Sequence, residues 1–155
     1  MQKLKVNIRP ATGLDIISLL KVGKEYHEEA KSWSVFSFNS EITAVNLATA
    51  INDDNQEIFL ATTDEEIVGF MWCTTSYPVF SNDIIAKDLF VYIKPQLRGL
   101  GIGKELAIRF EGWGKKRNAV VFIVGANSGI LDNSQASKMY QNLGYNSFGS
   151  NFIKV

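Results

Sequence analysis

Three alternating glycines in the run Gln96-Leu-Arg98-Gly99-Leu100-Gly101-Ile102-Gly103-Lys104 are the chemically most informative feature of the chain. The run follows an apolar, strand-like stretch and precedes a long amphipathic one. A helix starting there leaves N–H groups without intrahelical partners, and its dipole puts partial positive charge at the same end. That combination suits a diphosphate. Glycine permits positive φ and lacks the Cβ that would hold phosphate oxygens off the main chain. Arg98 or Lys104 can add charge.

Spacing narrows the choice of ligand. A Walker loop needs four residues between its first Gly and Gly-Lys, followed by Ser or Thr for magnesium. Here Gly103-Lys104 is followed by Glu105, whose carboxylate repels phosphate. A dinucleotide fingerprint begun at Gly99 or Gly101 would place its third glycine at 104 or 106, which are Lys104 and Leu106. A loop that merely turns a corner is the plain alternative.

Other candidate groups are few. His27 is the only histidine, in Glu25-Tyr26-His27-Glu28-Glu29. One imidazole without further ligands argues against a metal site, and a solvated helix end is the expectation. The three glutamates around it either attract a cationic amine or simply face water. Cys73 is the only cysteine and lies in an apolar run, so it is expected to be a buried small hydrophobe. No intramolecular disulfide is possible, which fits a reducing, cytoplasmic setting.

The positioning elements follow from periodicity. Val6 and Ile8 alternate as a short strand ending at Pro10, and Thr12 to Asp15 offer caps for a helix reaching about Glu29. A second helix is expected from Ser40 or Glu41 to Ile51. Glu57 to Thr63 and Ile67 to Tyr77 read as a hairpin, and Ile84 to Ile93 as a further strand ended by Pro95. A helix runs from Ile102 to the basic end at Lys115-Lys116-Arg117. Ala119 to Val124 is a near-continuous apolar run, the pattern of a strand covered on both faces. A last helix starts at Asp132 or Asn133 and stops at Gly144, and short strands are expected around Tyr145 to Phe148 and Asn151 to Val155. This order describes an α/β (mixed α+β) fold, a mixed sheet covered by helices.

At 155 residues, one domain over residues 1–155 is expected. Sixteen basic residues balance sixteen acidic ones, with no basic run, which disfavours a nucleic-acid partner. No apolar run is long enough to span a membrane, and the first residues lack the apolar core of a signal peptide.

At Gln96 to Lys104 the chain resembles the GNAT superfamily of N-acetyltransferases, whose signature is Gln or Arg, two residues, Gly, any residue, then Gly or Ala. Gln96, Gly99 and Gly101 fill it, and Arg98 and Ile102-Gly103 match its common elaboration. A second family element follows in Asn133-Ser-Gln-Ala136-Ser-Lys-Met-Tyr140-Gln-Asn-Leu143-Gly144-Tyr145. The resemblance covers nearly the whole chain. It implies a mostly antiparallel central sheet of six or seven strands with about four helices, splayed at an acyl-CoA site.

The resemblance also implies chemistry. Acetyl-CoA is the expected cosubstrate, with no metal. Its pantetheine arm would follow the main chain of Val91, Tyr92 and Ile93. Its pyrophosphate would sit on amides from Gly99, Leu100, Gly101, Ile102, Gly103 and Lys104, beside Gln96 and Arg98. An N–H near Val91 to Ile93 would polarise the thioester carbonyl. Tyr140 would be the general acid toward the thiolate, and Asn133 a helix cap or a partner of the pantetheine amide. The general base is left open between Asp88, a water chain and a carboxylate from another loop. Transfer would be direct, onto a primary amine of a small molecule or protein. The segment around His27 and Trp33 to Phe38 corresponds to the variable acceptor region, with Trp72 and Tyr77 as further walls. Relatives are often homodimers. A non-catalytic acyl-CoA-binding module of the same fold is the alternative.

Overall fold

The computed structural model describes residues 4–64, 66–126, 128 and 133–155, and only the main chain of residues 133 and 134. The strands β1 (Asn7–Pro10), β2 (Gln56–Thr62), β3 (Ile67–Ser76), β4 (Ile84–Ile93) and β5 (Ala119–Ile123) form one sheet in that spatial order. β1 to β4 are an antiparallel meander, and β5 joins β4 in parallel after a helical crossover. The helices are α1 (Ile16–Glu29), α2 (Ser40–Ile51), α3 (Ile102–Lys116) and α4 (Asn133–Asn142).

Local chemistry accounts for the helix starts. The Thr12 N–H donates to Asp15 Oδ2 at 2.8 Å, and Asp15 is also gripped by Arg9 at 2.7 Å, so the turn leading into α1 is tied to β1. Asn39 caps α2 by accepting from the Ile42 N–H at 3.0 Å. Gly101 heads α3 in the left-handed region at φ 85°.

The sheet has an apolar cluster on each face. Leu19, Val22 and Tyr26 of α1 and Leu47 and Ala50 of α2 pack on Ile58, Leu60, Phe70 and Tyr92. Ile102, Leu106, Phe110 and Trp113 form the buried stripe of α3 at helical spacing and pack on Phe59, Met71, Cys73 and Ala86. α3 lies so close to β5 that a Cβ on Gly114 would stand 2.4 Å from the Phe122 ring.

Two expectations about the sheet need correction. Five strands are present among the described residues, not six or seven, because residues 145–155 form no ladder. Polar turn-formers at Asn146-Ser147 and Gly149-Ser150-Asn151 leave apolar residues there singly or, at Phe152-Ile153, as one pair, and Phe148 and Phe152 stand exposed. β5 is therefore an edge strand rather than one covered on both faces, and Val120 is 64% exposed. Among the described residues no helix is long and apolar enough to cross a membrane.

Candidate active site

The site begins with an irregularity in β4. Trp72 pairs with Phe90 but Cys73 pairs with Asp88, leaving Leu89 as one extra residue, a β-bulge. The bulge switches which residues face which helices. Ala86 joins the α3-side cluster, whereas Phe90 and Tyr92 pack on the α1 side. Strict alternation would have kept all three on one face. At the same level β4 and β5 part company, since their ladder ends at Lys87 and Ile123.

Below that point the strands enclose a cleft of about 610 Å³. Val91, Tyr92 and Ile93 line one side, and Gly125 and α4, including Ala136, Met139 and Tyr140, line the other. Tyr92 turns its ring into the opposite cluster, edge-on to Tyr26 at 5.7 Å.

The glycine turn closes the cleft. Gly99 and Gly101 adopt φ of 80° and 85°, which side chains resist. The Glu105 N–H donates to Gly101 O at 3.1 Å, so the amides before it are the unpaired first turn of α3. Gly99, Gly101, Ile102, Gly103 and Lys104 all line the cleft. Gly103 has a different reason to be glycine: its φ is ordinary, and a Cβ would meet Met139 Sδ at 3.1 Å and Ile93 Cδ1 at 3.3 Å. The bare backbone lets α4 approach α3.

Arg98 lines the cleft but is already engaged. Its guanidinium donates to both Glu29 oxygens, at 2.6 and 2.9 Å, and its Nε to the Ile93 carbonyl at 2.9 Å. It braces the end of α1 against the glycine turn. Gln96 and Leu100 are exposed and lie outside the cleft lining, and the Asn133 side chain lies outside the described residues.

Asp88 and Tyr140 come together beside the cleft. Asp88 Oδ1 accepts the Gly125 N–H at 3.1 Å, bridging the gap between the parted strands. Burial raises its carboxyl to about 7, despite that hydrogen bond. Tyr140 is buried, and its hydroxyl is pushed far above the ordinary tyrosine range by burial and then by the nearby Asp88 charge. Burial and then Asp88 likewise raise the Cys73 thiol. A carboxylate poised near neutrality beside a hydroxyl that holds its proton has the chemistry that a base–acid pair requires. The Tyr140 ring meets Tyr145 edge-on at 5.6 Å, and Gly144 at φ 95° ends α4 so that Tyr145 can fold back.

A model of the acetyltransferase (GNAT) family matches residues 22–145, most of the chain. The chain belongs to the GNAT acetyltransferase family. Solved GNAT structures share its fold at low identity. AAC(6')-Iy, in complex with the bisubstrate analogue CoA-S-monomethyl-acetylneamine, is 15% identical with a TM-score of 0.77, covering 97% of each chain. The ribosomal-protein-alanine N-acetyltransferase from Brucella melitensis biovar Abortus 2308 is 16% identical with a TM-score of 0.73, covering 97% of this chain and 99% of that one. A predicted acetyltransferase with acetyl-CoA from Clostridium acetobutylicum is 16% identical with a TM-score of 0.75, covering 97% and 96%. No curated protein matches the sequence.

In this GNAT chain two of the three glutamates ending α1 are engaged elsewhere, and Glu28 faces solvent. Glu29 pairs with Arg98, and Glu25 lies 3.8 Å from the buried Lys94, which also holds Glu66 at 2.6 Å. His27 is not a solvated helix end: its Nε2 meets the Phe36 carbonyl at 2.6 Å and its ring packs near Phe38. Trp72 does wall a pocket on the α1 side, whereas Tyr77 is exposed outside it. Sequence reasoning missed the Gly125 amide and the bulge.

Proposed function

We infer that the chain transfers the acetyl group of acetyl-CoA directly to a primary amine. The observation that carries this reading is one cleft that unites parted strands, a row of unpaired amides and the Tyr140 wall, with Asp88 bonded to the Gly125 of its lining. The thioester supplies the activated acyl group, and the protein supplies orientation and proton transfer.

The amides from Gly99 to Lys104 hold the diphosphate without needing a side-chain cation, which suits the engagement of Arg98 with Glu29. The edge of β4 at Val91 to Ile93 offers main-chain groups to the pantetheine arm on the side where β5 has departed. Asp88, raised to about 7, takes the proton from the incoming ammonium group. As the C–S bond breaks Tyr140 gives its proton to the leaving sulfur, and the second proton shed by the new amide nitrogen restores the hydroxyl. A cytosolic setting accompanies the reading, since Cys73 is buried and the chain has no second cysteine.

Thermal melting with acetyl-CoA, followed by thiol release in the presence of amines, tests this function. A stabilising shift in the wild type, lost in Gly101→Glu, is expected. An unchanged melt at saturating acetyl-CoA overturns the reading. A shift with no thiol release from any amine supports the non-catalytic alternative instead.

A further inference from the structure

A second cavity, of about 300 Å³, lies on the α1 side of the sheet between α1, α2 and the connecting segment. It is at the small end of the range for ligand pockets. Its walls are largely aromatic: Tyr26, Trp33, Phe36, Phe70, Trp72 and Phe90. Phe90 is the hub, meeting Tyr26, Trp33 and Trp72 edge-on with centroids 5.7, 5.9 and 6.2 Å away. The Trp33 indole lies beside the Tyr26 hydroxyl, and the Trp72 indole N–H donates to Gln56 Oε1 at 2.9 Å. No carboxylate lines the cavity among the described residues.

The cavity and the cleft lie back to back at the bulge, since Phe90 of the cavity wall and Val91 of the cleft wall are consecutive residues of β4. Phe90 is two residues from Asp88 along β4, with the bulged Leu89 between them. Tyr26, in the cavity wall, feels the Asp88 charge. The geometry points to this cavity as the acceptor site, taking the ring of an aromatic primary amine whose short aminoalkyl tail reaches toward Asp88. This rests on the acetyl-transfer reading. Ring faces and edges attract a planar aromatic group beyond what its buried area provides. The same walls cannot pair the several ammonium groups of a polycation, and burying one of those unpaired is costly. Of the three acids ending α1, Glu25 and Glu29 are held by Lys94 and Arg98, and Glu28 is exposed outside the cavity lining.

Gly23 supplies the test. It lines the cavity from the middle of α1, and nothing stands within 4 Å of a Cβ built on it. Gly23→Leu therefore fills the cavity while favouring the helix. Phe36→Ala, at a ring 59% exposed, removes a wall without opening the core. Acetyl-CoA melting shifts and thiol-release rates with phenethylamine, spermidine and a short peptide with a free amino terminus are measured on all three proteins.

The expected result is the highest kcat/KM with phenethylamine and a fall of about tenfold or more in Gly23→Leu and Phe36→Ala. The acetyl-CoA shift should be unchanged. Equal or faster turnover of spermidine or the peptide overturns the inference, as does phenethylamine turnover indifferent to both substitutions. Either outcome with an intact acetyl-CoA shift leaves the acetyl-transfer reading standing. A missing shift in the wild type removes that reading and the acceptor role with it.

Discussion

Asp88 and Gly125 are joined across the gap between β4 and β5 by a 3.1 Å hydrogen bond from the Gly125 main chain to the carboxyl. The ladder between these strands has already ended at Lys87 and Ile123, so a side chain spans the interval that backbone pairing leaves open. The bulge at Leu89 is what turns the following strand away.

Burial holds the Asp88 carboxyl near 7, so acetyl transfer should rise with pH along a limb of apparent pKa about 7. A kcat/KM profile against pH checks this, and the limb should vanish in Asp88→Asn. Persistence of the limb would assign it to another group.

The same group makes a stability prediction of definite sign. Its folded pKa is raised, so the folded state binds the extra proton and the carboxylate costs stability as pH rises from about 4 through 7. Asp88→Asn should match the wild type near pH 4 and be more stable at pH 8, by an amount on the order of a few kcal/mol. Urea unfolding at the two pH values measures it.

Tyr140→Phe should keep the acetyl-CoA melting shift and lose kcat by roughly 100-fold or more, since it removes the proposed proton donor and leaves the ring in place. Steady-state thiol release with parallel melting curves separates the two effects.

Arg98 and Glu29 form a bidentate pair, about 29% exposed on each side. As a brace between α1 and the glycine turn, the pair should show coupling of about 1 kcal/mol in a double-mutant cycle of unfolding with Arg98→Ala and Glu29→Ala. Glu29→Ala should weaken acetyl-CoA binding. Tighter binding in that variant would instead mean that the freed guanidinium serves the phosphates.

Gly114 and Gly112 are neighbours on α3 with opposite expectations. Gly114→Ala drives a methyl into Phe122 and Ala86 and should cost about 1–3 kcal/mol. Gly112→Ala meets nothing and should gain about 0.5–1 kcal/mol. Chemical denaturation of both variants gives the comparison.

Much was legible from local pattern. The strand Ile84–Ile93 and the start of α3 at Ile102 lie where Pro95 and the glycines put them. The positive φ at Gly99 and Gly101 follows from residue type, whereas the ordinary φ of Gly103 does not, because its need is clearance for Met139. Period-two reasoning separated Asp88 from Leu89 but could not see that Leu89 is surplus, since a bulge depends on the register of the partner strand. The glutamates ending α1 looked available because their partners, Lys94 and Arg98, lie about seventy positions away in sequence.

By itself the sequence determined the order of helices and strands as far as Gly144, the glycine turn at a helix start and the family, because each depends on neighbours within a few residues. Only the tertiary structure decided that β4 and β5 separate at the bulge, that Asp88 is enclosed beside Tyr140, and that Arg98 is committed to Glu29. These depend on dielectric surroundings and on contacts between distant segments, and no local pattern of residue types records either.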